Sequence, residues 1–350
     1  MVRARAAAYP DPAGLPPDQR VQWPLSGVLE MITLFLACQA PVIDLGEEGK
    51  SGADGGDTGA DGESDADADS DADADSDADA DSDSDADSDT DADGDSDIAC
   101  PAFHLLADES VLLDYGAAFD AYDSSVGSYG GANVTSTGTI ATNGTGACAF
   151  NTSATVSGSV WVGPGSDPST AACYGWGGSV TGTVGTLAAE EVLVDLDEPT
   201  GLPASSGELR AGWGESLTVA PDALYDGLTV EYGGTVTVSG GGYLVVRGAA
   251  SVAGTFSVAS GETLDVYVER TLTVDWGGTL NSGGSPSDLR VHLVNGSDVT
   301  VNNGGSASML LDGPAGAVSN AGTLYGAVIA RSYHAGWGGG LHGDDGALCP

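Results

Sequence analysis

The sequence predicts an all-β head, a right-handed β-solenoid or β-helix of short strands, carried behind a disordered acidic linker. Three observations lead there. Short runs of alternating, β-branched residues recur late in the chain, among them TVTV (235–238), TLTV (271–274) and DVTV (298–301). That period-two pattern is the signature of strands with one buried face. The separators are GG, SGGG, ASG, DWGG, NSGGS and NNGG, which are turn residues without a dedicated hairpin dipeptide. Run centres lie about seven to eleven residues apart, so three runs make a coil of roughly twenty residues, within the range of stacked solenoid repeats. A Greek-key β-sandwich is the competing architecture, because its strands are similarly spaced.

Residues 1–38 read as an export segment. The apolar run Met31–Ala37 ends at Cys38, with Phe35, Leu36 and Ala37 before it. A small residue before a cysteine that follows an apolar run resembles a bacterial lipobox, and Cys38 is the expected lipidation site. No run reaches the 18 or more apolar residues of a spanning helix. The expected membrane association is therefore through a lipid anchor, and the expected location is the outer membrane or cell surface.

Residues 39–98 read as a stalk. Every odd position from Asp65 to Asp97 is aspartate, with Ala, Ser, Thr or Gly between. Such a segment has no apolar surface to bury and is expected to be disordered. Mutual repulsion extends it. The stretch DTDADGDSDIAC (89–100) begins like an EF-hand loop, with Asp89, Asp91, Asp93 and Asp95 as Ca²⁺ candidates. Its twelfth position, however, is Cys100 instead of glutamate. Loose Ca²⁺ association is expected, and otherwise no cofactor.

Residues 99–350 form the predicted solenoid. Further strand runs are SLTV (216–219), GLTV (227–230), YLVV (243–246), LDVYV (264–268), LRVHLV (289–294) and LYGAVIA (324–330). Glycines suit the corners because they accept positive φ at little cost. The segment TLAAEEVLVDLDEPTGLP (186–203) is the one helix-like text, read as a short helix or as a crossing between an early sub-region and the main repeats.

Charge excludes some functions. The chain carries 52 acids against nine Lys and Arg, a formal net charge of −43. Such a surface repels nucleic-acid phosphates and anionic headgroups. Apart from Cys38, four cysteines are present, Cys100, Cys148, Cys173 and Cys349, with no CxxC pair. In an exported protein these read as disulfides. The pairing preferred is Cys148 with Cys173 and Cys100 with Cys349, with the other two pairings open.

Catalysis is not expected. There is no GxSxG elbow and no HExxH. Glycosidase chemistry needs two carboxylates about 5–9.5 Å apart, and Asp265, Glu269 and Asp275 are merely near in sequence. His104, His292, His334 and His342 are scattered, and His334, His342 and Asp344 make only a loose metal cluster. Trp176, Trp213, Trp276 and Trp337 each adjoin glycine. The preferred reading is a ring covering a glycine corner, because Trp is usually largely buried. The functional reading is a row of exposed rings that stack on sugars.

The stretches AYDSSVGSYGGAN (121–133) and GTLYGAVIARSYHAGWGGGLHGDDGAL (322–348) resemble a Gly-rich domain of unknown function from exported bacterial proteins. That family includes PilX-type pilus assembly proteins and myxobacterial surface lipoproteins. The resemblance implies a β-solenoid-like fold, no known activity, and a terminal His-x-Asp at His342 and Asp344. Gly343 stands where the family usually has tyrosine. The function expected is a non-enzymatic surface lipoprotein, a structural or adhesive head on an acidic spacer, associated with pilus or envelope. Its expected partners are envelope or matrix components and glycans. The alternative is a carbohydrate-binding or carbohydrate-active lyase or hydrolase on the same scaffold.

Overall fold

The computed structural model describes residues 102–348. Cys38, the acidic stalk with Asp89, Asp91, Asp93 and Asp95, and the cysteines Cys100 and Cys349 lie outside the described residues.

The described chain is a β-solenoid. Among the described residues every strand pairing is parallel except that of Ala121–Tyr122 with Val134–Thr135. The strands stack in three columns, one per side of each coil. The register of one column gives the stacking order. Ser216 lies beside Thr235, then come Thr255, Thr279, Ser306, Thr323, Gly340, Ala118, Thr155 and Ser179. These ten positions number the rungs from 1 to 10.

Rung 1 is Glu208–Ala211, Ser216–Val219 and Ala223–Tyr225, and rung 10 is Ala172–Tyr174, Ser179–Val180 and Val184–Thr186. The stacking order therefore departs from chain order, because rungs 8 to 10 come from the N-terminal third of the described chain. The two ends meet at rung 7. Residues 332–335 and Gly340–Asp344 supply two of its sides, and residues 105–107 supply the third. The strands Ser306–Asn320 and Thr323–Ala335 run unbroken round the corners just before this seam.

Alternate residues of each strand point inward and stack on their counterparts above and below. Val230, Val236, Val252, Val268, Val274 and Val301 are all fully buried. The expected runs between Ser216 and Ala330 coincide with strands. On the strand side that includes YLVV, LDVYV and LRVHLV, residues such as Val245 and His292 are buried on the outward face as well, which explains why YLVV is continuous instead of alternating. Its outward row reads Leu224, Val245, Tyr267, His292, Asp312, Ile329, Leu106, Ala141, Trp161 and Gly185 in register.

The segment 187–207 lies over this row. It is the crossing segment and carries no helix. It returns the chain from rung 10 to rung 1 as an extended strap. Leu187 and Leu193 pack on Leu106, Ala141, Trp161 and Ile329. The Asn143 side chain donates to the Glu191 carbonyl at 2.9 Å and accepts from the Glu191 N–H at 2.9 Å. This copies a strand partner for the strap backbone. Farther along, burial raises the Asp312 carboxyl and His292 partly offsets that, while Asp195 of the strap adds to it. At the far end Ser206 N–H donates to the Leu224 carbonyl at 2.8 Å, beneath rung 1.

Two features lock the ends. A Cys148–Cys173 disulfide joins the turn before rung 9 to rung 10. A loop of this length is worth about 3 kcal/mol. At the seam, His104 is buried, and its Nδ1 accepts from Thr139 N–H at 3.1 Å. A backbone N–H can only donate, so Nδ1 is bare and the ring proton sits on Nε2. Nε2 stands 3.1 Å from the Asp345 carboxylate but is not aligned for a hydrogen bond. Burial outweighs the attraction of Asp345 and Asp344 and holds the imidazole below its ordinary pKa.

Gly343 is explained here. A Cβ on it would fall into the His104 ring, so a residue with any side chain is excluded while His104 holds the seam. Gly343→Ala should therefore destabilise by about 1–3 kcal/mol through overpacking. Gly146→Ala, where a Cβ meets open space, should stay within about 0.5 kcal/mol. Denaturant unfolding of the two variants checks this.

Candidate surface for glycan stacking

One corner of the solenoid carries a repeated turn. Seven rungs place four residues between the same two sides: GWGE (212–215), EYGG (231–234), DWGG (275–278), NNGG (302–305), GWGG (336–339), DYGA (114–117) and GWGG (175–178). In each, the fourth N–H bonds back to the first carbonyl at 2.8–3.0 Å. The third residue is a glycine at φ between +73° and +80°. Positive φ at the third position of a four-residue turn is the type II pattern and selects glycine. The second residue projects from the corner. Rungs 3, 6 and 9 cross the same corner with two residues only, AG (253–254), AG (321–322) and SA (153–154).

The spatial order reveals a period that the chain order hides. Trp213, Trp276, Trp337 and Trp176 occupy rungs 1, 4, 7 and 10. Tyr232, Asn303 and Tyr115 occupy rungs 2, 5 and 8. At about 4.8 Å per rung, a tryptophan recurs every ~14 Å.

All four tryptophans are exposed, Trp176 at 82%, Trp213 at 73%, Trp276 at 69% and Trp337 at 75%. Each of the first three in rung order also leans over a turn glycine of the next rung, Trp213 over Gly233, Trp276 over Gly304 and Trp337 over Gly116. Tyr232 and Tyr115 reach across the short rungs to Gly277 and Gly177. Corner packing and exposure thus coexist. One face of the ring covers a glycine turn, and the rest is open to solvent. The rings form two groups, Trp213–Tyr232–Trp276 and Trp337–Tyr115–Trp176, separated by Asn303. Ring centroids are 5.4 Å apart for Trp213–Tyr232 and 5.1 Å for Tyr115–Trp176. Asp114, Glu231 and Asp275 precede rings in their turns and are paired within the protein, with His334, Arg210, and Ser251 and Asn302 respectively.

The side next to this corner bears a hydroxyl ladder. Ser216, Thr235, Thr255, Thr279, Ser306 and Thr323 are consecutive in register, and Thr155 and Ser179 resume the row at rungs 9 and 10. Thr218, Thr237 and Ser257 make a second row. Hydroxyls bond from rung to rung, as in Thr279 to Thr255 at 3.2 Å and Thr237 with Ser257 at 3.2 Å.

Midway the ladder opens into a cleft of about 420 Å³ lined by Tyr122, Tyr129, Tyr325 and several serines. The loop from Asp123 to Asn133 forms one wall. Tyr129 lies on the His342 ring at 3.9 Å and donates from its hydroxyl to Asp120 at 2.8 Å. His342 Nδ1 is 2.6 Å from the other Asp120 oxygen. Burial, more than Asp120, pushes the Tyr129 hydroxyl well above its usual range, so it stays a donor. Asp344 is fully buried, accepts from Ser124 and Gly346 N–H, and braces that loop.

His342 and Asp344 therefore lie behind the cleft wall, His342 against Tyr129 and Asp344 against the Ser124 backbone. His334 instead pairs with Asp114 at 2.9 Å on another side, and His292 lies under the strap with Asp265 at 3.0 Å. The loose metal cluster is not assembled. Tyr115, Tyr232 and the hydroxyl ladder are absent from the residues singled out above. Their signals were the same aromatic–glycine turn and the recurrent S/T-x-T/S text. Searches of family models, curated proteins and solved structures found no match to the chain.

The lean of rings over glycines has a measurable consequence. Gly304→Ala adds a Cβ 2.6 Å from Trp276 Cδ1 and places alanine at positive φ, so it should cost at least about 1–2 kcal/mol. Trp276→Ala should cost within about 1 kcal/mol, as an exposed residue. The double variant should be less unstable than the sum, because the clash is gone while the backbone strain remains. Thermal or denaturant unfolding of the three variants reads this coupling.

Proposed function

We propose that the head is a non-catalytic adhesin for a neutral glycan, held at the cell surface by a lipid on Cys38 and spaced from it by the acidic stalk. The observation that carries the reading is the row of exposed rings repeating every three rungs on one corner. A linear polymer laid along that corner meets a tryptophan at regular intervals, with the hydroxyl rows of the adjoining side to accept and donate hydrogen bonds. Aromatic faces suit the C–H faces of sugars because the quadrupole of the ring attracts their positive edges. A ligand without negative charge fits an acidic protein.

The cleft between Tyr129 and Tyr325 supports binding over hydrolysis. The described residues that line it are tyrosines, serines, glycines and a proline, with no Asp or Glu among them. A glycosidase needs a free carboxylate pair across the bond to be cut. The resemblance to the Gly-rich domain of exported proteins and the lipobox-like text at Cys38 support surface display. The acidic stalk agrees with a spacer role.

Affinity electrophoresis in gels containing neutral polysaccharides, preceded by a glycan array to choose them, tests the ligand. Each Trp→Ala change should weaken binding by about 0.5–1.5 kcal/mol, roughly two- to tenfold in Kd. The triple variant Trp213→Ala/Trp276→Ala/Trp337→Ala should abolish retention. Retention unaffected by these changes, or no signal on any glycan, would reject the reading. Cys38→Ser should move the protein out of the membrane fraction, and an unchanged fractionation would reject the lipid anchor.

A further inference from the structure

The two ends of the solenoid differ in ways that single out one of them as an interface. A solenoid pairs its strands upward and downward, so its first and last rungs carry unpaired backbone edges. Proteins usually protect such edges with charge, proline or a covering segment. Rung 1 is protected. It carries Glu208, Arg210, Glu215 and Asp222 on or beside its strands, and Ser206 of the strap bonds beneath it to Leu224.

Among the described residues, rung 10 has none of these devices. Ala172–Tyr174, Ser179–Val180 and Val184–Thr186 each pair on one side only, with rung 9. From Pro168 to Ala189 there is no charged residue, and from Ser124 to Ala189 the single charge is Asp167. Val180 and Val184 are only partly covered at this end. In a chain of net charge −43, most surfaces resist meeting their own copies. The rung 10 end is the part of the solenoid that two copies can bring together without like-charge repulsion.

We infer that the protein dimerises tail to tail, with the rung 10 edges of two copies pairing antiparallel across a two-fold axis. The occupant is a second copy because the end is complementary to itself: neutral, rich in unpaired strand edges and presenting the same apolar Val pair. Head-to-tail stacking is opposed by geometry. The strap end already occupies the place below rung 1 on one side, so the three columns of rung 10 cannot all continue onto rung 1. A closed two-fold dimer is also the commonest homo-oligomer. Trp176 contributes to the junction. It is the one tryptophan on the corner with no following rung to lean on, and the partner supplies one. The inference stands on strand edges and charge and does not depend on the glycan reading.

Sedimentation velocity of the full chain over a concentration series tests it. The expected result is a monomer–dimer equilibrium with nothing larger. Ser179→Asp/Thr183→Asp places two acids on each exposed edge and should raise the dimer Kd at least tenfold. Trp176→Ala should raise it severalfold. The control Thr218→Asp, on rung 1, should leave it unchanged, and circular dichroism should show all variants folded. A strictly monomeric wild type overturns the proposal. So does a dimer indifferent to the rung 10 changes, or a growing series of oligomers sensitive to Thr218→Asp, which would indicate head-to-tail assembly.

Discussion

Rung 7 is the part on which the rest of the head depends, because no single stretch of chain can build it. Two of its sides arrive with the C-terminal strands and the third with the N-terminal strand. Until these meet, rungs 1 to 6 end in an open edge and rungs 8 to 10 have nothing below them. A coil cannot bury its own apolar face. Each gains its core only by stacking, so the join between distant chain segments decides whether there is one core or two fragments. The seam is correspondingly exacting. His104 is buried with its proton placed by the Thr139 N–H, Gly343 leaves room for the ring, and Asp344 ties the Asp123–Asn133 loop to the closing strand.

The strap follows from the same constraint. If the N-terminal rungs lie beyond the C-terminal ones, the chain must travel back along the stack from rung 10 to rung 1. It does so over the side whose outward row is mostly apolar, where Leu106, Ala141, Trp161 and Ile329 meet Leu187 and Leu193 of the strap. Its Ala and Glu residues favour helix locally, yet Asn143, Leu106 and Trp161 hold it extended. Tertiary packing overrides propensity here.

Most of the strands after Ser216 were legible, because TVTV, TLTV and DVTV state their period directly. Strands before residue 187 were not. Several are short, such as Phe150–Thr152 and Thr155–Val156, whose texts FNT and TV carry no period of their own, and the longest, Leu105–Leu113, is broken by Asp108 and Glu109. The order of the rungs was illegible for a different reason. Register between distant strands leaves no local mark in either one. The corner shows what this conceals. Trp176 comes first of the four in the chain and last in space, so the three-rung period of the tryptophans appears only once the seam is known. Average Trp burial also pointed the wrong way for these rings, since glycine turns present no wall high enough to enclose them. His342 and Asp344, behind the cleft wall, were visible as a pair, but the His342 partners Asp120 and Tyr129 and the Asp344 partner Ser124 lie more than 200 residues away in the chain.

The aromatic corner, the hydroxyl ladder and the neutral rung 10 end all depend on the N-terminal rungs stacking beyond rung 7. A spin-label distance tests that placement most directly. Labels at Ser179 and Ser216, in protein diluted with unlabelled chain, sit nine rungs apart in the same column. At about 4.8 Å per rung the separation should be roughly 43 Å. If the coils instead stacked in chain order, rung 10 would adjoin rung 1 and the labels would lie within about 10–20 Å of each other, allowing for label reach. A distance distribution centred there would contradict the account.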